Sequence, residues 1–595
     1  MAATRVSVPT KSNIRASTKL ILNFDVPLER KRTNPEIVMA EKSGKLSQPR
    51  DYKLIVEKDV RIPLRDGTVL YADVFRPEAS ERFPCIMTTG PYMKDKLWIP
   101  PEDLEEPANE YMNWETANPL WWCPRGYVLV RVDSRGSGKS PGKSEPSSLQ
   151  EAVDTYDCIE WVAKQGWCSG KVGTLGISYH ANFQWRVAGL QPPSLKAIMP
   201  WEGRADQYRD QAYHGGIFAI GFLTQWHHMQ TAHHLLGEPR SYNPDAFNNN
   251  LLWEYMRNDL DSEYWRMCSA RWDRIKVPVY SVGNWGGFAM HLRGNTEAYM
   301  CAASENKKLR IHSGSHYHPF HSQEARLEQL RWFDHWLKNI DTGIMDEPRV
   351  KLEIRTGGSS KPYPFRFEDD WPIPRTQWTK FFLQPQATRP SASEVEGRLT
   401  LEAPAQSSSI TYEASPGGRH SHGGRTGVSF ETAPMKEDIE ITGPIVLNIW
   451  ISSTSRDMDI IATLRNIGPD GKDVPEVGQR GDSVPCVTKG WLRASHRKLD
   501  KEKSLPYRPY HAHDERWWLK PDEVVECQVE IWPTSMVYKK GHKLQLDVQP
   551  KDGVGTGHFT HYHADYNQAA RNTIHAGGER QSYLLLPVIL AKSRS

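Results

Sequence analysis

A serine hydroxyl is hardly ionised at neutral pH, so it acts as a nucleophile only where a fold exposes it and brings a base to it. The segment Gly173-Thr174-Leu175-Gly176-Ile177-Ser178-Tyr179-His180 has the make-up of such a place. A buried strand runs into Gly176-x-Ser178 and a helix follows. Small neighbours let the serine occupy a tight, strained turn at the helix amino terminus, where backbone N–H groups stabilise a developing oxyanion. The last position of this elbow is His180 instead of the usual glycine. The expected chemistry is acyl transfer through Ser178, with the backbone N–H of Tyr179 as one oxyanion donor.

The flanking sequence must supply a scaffold. Short apolar runs at Cys85–Met87, Tyr127–Val132, Val172–Leu175, Leu195–Met199, Val277–Val282 and Leu309–His312 alternate with helical stretches. In one of these, Leu149–Trp167, apolar residues recur at helical spacing. Such alternation predicts an α/β domain with a mostly parallel sheet covered by helices on both faces. A hairpin is expected from Val60 to Phe75 around Asp66-Gly67. Between Gly203 and Arg274 the strand pattern gives way to an aromatic, His-rich helical insertion, read as a cap over the site. The helix Glu324–Ile340 closes this domain, placed at 51–348. Residues 1–50 read as a polar arm, and 349–595, rich in strand patterns beginning with Val350–Arg355, as a β-sandwich of jelly-roll type. The polar tract 384–424 reads as a long loop.

Bulk properties narrow the class. The 595 residues exceed one hydrophobic core. Lys plus Arg (75) nearly balances Asp plus Glu (72), so no basic face for nucleic acid is indicated. No apolar run approaches a membrane span, and the amino terminus lacks a secretory apolar core. Eight cysteines without metal-type spacing read as buried thiols of a reducing compartment, which makes the cytoplasm the default location.

Several blocks then stand in a familiar order: the Gly-Ile-Ser-Tyr elbow, Arg131-Val132-Asp133-Ser134-Arg135-Gly136-Ser137-Gly138, Gln165-Gly166-Trp167, and Val529-Glu530-Ile531-Trp532-Pro533-Thr534-Ser535. Together they resemble the CocE/NonD hydrolase family, which includes cocaine esterase, α-amino-acid ester hydrolases and X-prolyl dipeptidyl aminopeptidases. The resemblance spans roughly residues 53 to 590. It implies an α/β-hydrolase domain, a helical cap and a carboxyl-terminal jelly roll.

In α/β-hydrolases the base follows the last strand, here Leu309–His312. His316 in His312-Ser313-Gly314-Ser315-His316 is the expected base, with His312, His318 and His321 as rivals. The resemblance makes the Tyr92 hydroxyl, in Gly90-Pro91-Tyr92-Met93-Lys94, the second oxyanion donor. It also predicts an Asp in a Gly-Trp-x-Asp block, but the chain reads Gly283-Asn284-Trp285-Gly286-Gly287, with Gly287 at the acid's position. Glu202, in Pro200-Trp201-Glu202-Gly203 after the strand Leu195–Met199, is the expected substitute. Pairing of Glu202 with Arg204 or Arg209 is its bland alternative, and Asp206 and Asp210 are weaker candidates.

His180, Trp201 and Trp285 are assigned to the substrate pocket. The stretch Arg135-Gly136-Ser137-Gly138-Lys139-Ser140 lacks the first glycine of a phosphate-binding loop, Asp133 standing there instead. His558, His561 and His563 read as loop residues that lie near the site if the jelly roll packs there. No metal and no organic cofactor is called for. The expected partner is a small-molecule substrate, apolar or aromatic, with no nucleic acid or membrane, and a homo-oligomer stays open. Two other readings stay open as well: an acyltransferase or cyclase using the same site, and an inactive binding homologue prompted by Gly287.

Overall fold

The computed structural model describes the backbone of residues 19–22 and residues 46–95, 104–106, 109–113, 115–227, 251–358, 363–386, 397–414, 427–555, 557, 559–563 and 570–590. Most of the amino-terminal arm, the middle of the cap with His228, His233 and His234, much of the 384–424 tract, and His558 lie outside the described residues.

Eleven strands form the first sheet. In chain order they are β1 (Lys19–Leu22), β2 (Leu54–Pro63), β3 (Val69–Pro77), β4 (Phe83–Gly90), β5 (Val128–Asp133), β6 (Cys168–Ile177), β7 (Leu195–Trp201), β8 (Val279–Asn284), β9 (Lys307–His312), β10 (Val350–Glu353) and β11 (Phe365–Glu368). Their spatial order is 1-2-3-5-4-6-7-8-9-10-11. The six neighbouring pairs from β5 to β10 are all parallel. The expected hairpin is β2–β3, turning at Gly67 with φ 85°.

Alternation of side chains along the strands splits the core into two faces. On one, Met87, Val130, Val172 and Ile198 pack under α1 (Leu149–Ala163), α2 (Tyr179–Leu190) and α3 (Leu292–Cys301). On the other, Leu129, Leu175, Ile177 and Met199 meet Trp332, Phe333 and Leu337 of α4 (Gln323–Lys338). Ser148 caps α1 by accepting from Glu151 N–H, and Ser322 caps α4 by accepting from Ala325 N–H, which fixes where each helix starts.

One boundary differs from the sequence reading. The strand at Val350–Glu353, expected to open the sandwich, pairs parallel with β9 and antiparallel with β11, so the first sheet runs on through Glu368. Strand-forming residues declare a strand, whereas the sheet it joins depends on which partner has an open edge.

The second unit is an eleven-stranded β-sandwich whose main strands, among them Ile439–Ser453, Asp459–Ile467, Val525–Tyr538 and Lys543–Gln549, pair antiparallel around their own apolar core. It packs on the cap and on α3. Arg493 N–H donates to Gly215 O at 2.8 Å, and Arg293 Nε to Glu530 at 2.9 Å. All eight cysteines are unpaired. Among the described residues no helix is long and apolar enough to cross a membrane.

Candidate active site

Ser178 ends β6 and opens α2 with φ 57° and ψ −115°, a strained conformation for a residue with a side chain. The turn is held by Ser178 N–H donating to Trp201 O at 2.9 Å and Ile177 N–H to Glu115 O at 3.0 Å. A side chain at Gly176 would come within 2.5 Å of His180 Cβ, so glycine is obligatory there. The bulk of His180 at the elbow's last position is accommodated by a second glycine: a Cβ on Gly90 would meet its Nε2 at 2.9 Å. As the first residue of α2, Tyr179 has a backbone N–H with no intrahelical acceptor.

Four polar side chains converge beside the serine. His316 Nδ1 donates to Glu202 Oε2 at 2.7 Å, and its Nε2 faces Glu115 Oε1 at 3.5 Å. Glu202, fully buried and itself at φ 50°, is held by its N–H donating to Val282 O at 2.7 Å and by Asn284 Nδ2 at 3.2 Å. It does not pair with the cap arginines considered as its alternative partners. Arg209 takes Asp206 and Asp261 instead. Asp210 is likewise occupied, by Arg293 at 3.0 Å.

The hydroxyl itself meets a different imidazole. Ser178 Oγ lies 3.4 Å from Nε2 of His291, a residue that the sequence reading did not select. His291 precedes α3 and stacks face to face on His316, centroids 5.3 Å apart and planes within 4°. His316 makes no hydrogen bond to Ser178 in this conformation, because its Nε2 is turned toward Glu115. The signal for His291 was faint: an imidazole four residues beyond the glycine that replaces the expected acid.

Gln479 completes the group. It sits at the tip of a hairpin from the sandwich, between strands Glu476–Val477 and Ser483–Val484. Its Nε2 lies 2.9 Å from Glu202 Oε2, 2.7 Å from His291 Nδ1 and 2.9 Å from His316 Nδ1. The hairpin also supplies Gln479 O as acceptor for His316 N–H at 2.7 Å. Gly286 makes room for it, since a Cβ there would meet Gln479 N at 3.0 Å. No local pattern marked Gln479, because it arrives from the other domain.

The charges follow from this packing. Burial would lower the pKa of His316, but Glu202 and Glu115 outweigh it and raise the value to about 9. Burial, the neighbouring His316 and Arg204 push His291 well below the ordinary histidine range. The proton that the stacked pair binds near neutral pH therefore resides on His316. Ligand atoms of Glu202, His291 and His316 lie within 4.8 Å of one another and form the one group among the described residues that has a metal site's composition. The Gln479 amide nitrogen lies within 2.9 Å of an atom of all three residues, and donates to Glu202 and His291.

Tyr92 is buried, with its ring edge-on to Tyr179 at 5.7 Å. Its Oη accepts from Trp226 Nε1 at 2.8 Å, which directs the phenol's own proton away from the indole. Burial raises its pKa far above the ordinary value, so it stays a donor at any working pH. The loop carrying it is anchored by Lys94 N–H donating to Asp133 Oδ1 at 2.6 Å. The same Asp133 carboxylate fills the glycine-rich turn behind it, with a Cβ on Gly138 approaching Asp133 Oδ2 to 2.4 Å.

The pocket residues inferred from sequence require correction. Trp201 is core: it packs on His312 at 5.3 Å and Phe320 at 5.4 Å, because its position on β7 points it to the α4 face. Trp285 is also core, donating to Glu353 O at 2.8 Å between the two domains. His180 lies behind Tyr92 with its ring centroid 5.7 Å from the phenol ring, and supports the loop. Of the sandwich histidines, His561 bridges Asp552 and His214 of the cap, each at 2.8 Å, and His563 bonds Asp459 at 3.0 Å.

Comparison with known proteins places the two units in known families. The family model described as X-Pro dipeptidyl-peptidase (S15 family) matches residues 66–318. That of the X-Pro dipeptidyl-peptidase C-terminal non-catalytic domain matches residues 342–585. A crystal structure of a CocE/NonD family hydrolase from Staphylococcus aureus superposes with a TM-score of 0.81 at 30% identity, covering 91% of this chain and 94% of that one. The chain belongs to the CocE/NonD hydrolase family. Cocaine esterase from Rhodococcus sp. (strain MB1 Bresler) is 23% identical over 90% of this chain and 98% of its own length. An aminopeptidase from a marine sediment archaeon, Thaumarchaeota archaeon, shares the fold with a TM-score of 0.65 at 16% identity, covering 95% and 99% of the two chains. The CocE/NonD architecture thus accounts for the parallel sheet, the cap and the sandwich as one enzyme scaffold.

Proposed function

We propose that this CocE/NonD hydrolase cleaves an ester or amide of a small aromatic or apolar substrate through an acyl intermediate on Ser178. The observation that carries the reading is the strained serine at φ 57° opening α2, with a carboxylate-bound imidazole and a second imidazole packed against it. Relatives include a cocaine esterase and proteins matched by the X-Pro dipeptidyl-peptidase model, so both ester and amide bonds fall within the family's reach.

His316 serves as base. Glu202 holds its Nδ1 proton, which leaves Nε2 to receive the serine proton. To reach Ser178 the ring swings away from Glu115. His291 has the opposite tautomer. Gln479 donates to Glu202, so its amide nitrogen faces this cluster and also donates to His291 Nδ1. His291 Nε2 therefore carries the hydrogen and donates toward the serine oxygen, steadying it as charge develops. Tyr92 O–H and Tyr179 N–H receive the carbonyl oxygen, and water then cleaves the acyl-enzyme. Tyr92 packs edge-on to Tyr179, which stacks on Trp226, an aromatic cluster beside the elbow.

A fluorophosphonate probe tests this reading. The expected result is a covalent adduct on Ser178, together with loss of aryl-ester turnover in Ser178→Ala. A folded protein that takes no adduct and turns over no ester would overturn it.

A further inference from the structure

Among the described residues most buried arginines have carboxylate partners; Arg131 instead donates to the carbonyls of Tyr111 and Ala117, and Arg204, beside the serine elbow, has neither arrangement. Arg186 pairs with Glu151 at 2.7 Å, Arg209 with Asp206 and Asp261 at 2.9 and 2.8 Å, and Arg293 with Asp210 and Glu530 at 3.0 and 2.9 Å. Arg204 is just as deeply buried, at 4% exposure, and pairs with no carboxylate among the described residues. Its Nε donates to Gln207 Oε1 at 2.8 Å, and Nη2 reaches Ser147 Oγ at a long 3.4 Å. A guanidinium offers five donors in a planar fork shaped for a carboxylate, so most of its capacity is unspent. Glu151 is already committed, shared among Arg186, the Tyr179 hydroxyl and Ser147 N–H.

Its position ties it to the reaction. Arg204 lies two residues beyond Glu202, and its guanidinium carbon is 5.6 Å from the ring of Tyr179, the residue next to Ser178. That ring contacts Tyr92 and stacks on Trp226 at 6.0 Å. The Arg204 charge is felt by both His291 and Tyr92. A buried cation without a counter-ion gains wherever a ligand supplies the negative charge.

We propose that Arg204 is a substrate-binding residue that recognises a carboxylate on the substrate, so that the preferred substrate is an ester or amide with an aromatic or apolar body and an anionic group. This inference rests on the acyl-Ser178 reading. Aryl monoesters of a dicarboxylic acid, whose free carboxylate stands a few carbons from the scissile carbonyl, are the probes. Their uncharged methyl diesters are the controls.

The wild-type enzyme is expected to favour the anionic ester over its neutral counterpart by about tenfold or more in kcat/KM, the scale of one charge-assisted hydrogen-bonded pair. Arg204→Gln should collapse that ratio, chiefly through KM, and Arg204→Lys should restore part of it. Calorimetric binding of the anionic monoester to Ser178→Ala, and its loss in the double variant with Arg204→Gln, reads the same contact without turnover. No anionic preference in the wild type, or an equal loss for both esters in Arg204→Gln with unchanged binding to Ser178→Ala, would overturn the proposal. Failure of Ser178 to label with fluorophosphonate would instead sink the acyl-enzyme reading beneath it, while carboxylate binding would still report on Arg204.

Discussion

The amide nitrogen of Gln479 lies 2.7 Å from Nδ1 of His291, although 188 residues and a domain boundary separate them in the chain. Through this contact the β-sandwich fixes the protonation pattern of an imidazole that lies 3.4 Å from the Ser178 hydroxyl. Glu202 prevents the amide from reversing, since its carboxylate at 2.9 Å accepts from the same nitrogen. The sandwich is thereby a working part of the site as well as a packing partner of the cap.

Gln479 acts as a positioning residue, and its removal has a signature that simple destabilisation lacks. Gln479→Ala should lower kcat by roughly tenfold to a hundredfold, the scale of a misplaced catalytic group. It should also make the enzyme newly sensitive to zinc, because Glu202, His291 and His316 then surround a vacated centre with ligands suited to that ion. Inhibition titrations with zinc, reversed by chelator, check this. Equal sensitivity of wild type and variant would refute the plug role.

Glu202 and His291 should differ in how their loss is felt. Glu202→Gln keeps the shape but removes the charge that stabilises imidazolium His316. A drop in kcat of about a thousandfold or more is expected. His291→Gln retains a donor and should cost no more than roughly a hundredfold. Steady-state kinetics on one aryl ester rank the two variants, and a larger loss for His291→Gln would make His291 the base.

The pH profile follows from the carboxylates around His316. A base works only when unprotonated, and Glu202 and Glu115 raise this one to about 9. The rate kcat/KM should therefore climb from neutral pH and level off above about 9, an alkaline-shifted limb. Glu115→Gln removes one of the two raising charges and should move the limb to lower pH. The same shift means that this proton's contribution to stability is complete below the unfolded pKa, about 6.5, and is lost as pH rises through 9. A rate limb that stays near pH 6.5 in the wild type would remove His316 from the role of base.

Local sequence determined the elements and the serine elbow. Periodicity distinguishes buried strand from amphipathic helix within a dozen residues, and the Gly-x-Ser turn is a steric requirement that only small neighbours meet. Those signals were enough for the α/β sheet, the cap, the sandwich and Ser178. The conjecture that Glu202 takes over from the acid missing at Gly287 also arose there, from its position at a strand's carboxyl end.

Tertiary structure decided which groups meet. His291 rather than His316 touches the serine, Gln479 reaches in from the sandwich, and Val350–Glu353 joins the first sheet. Trp201 and Trp285 turned to the core because strand direction and domain packing, not residue type, set where an indole points. Hydrogen-bond partners hundreds of residues apart leave no periodic trace in a chain, since their meeting depends on how finished elements stack. The unpaired charge of Arg204 is visible only in that finished packing, where every neighbouring acid already has a partner.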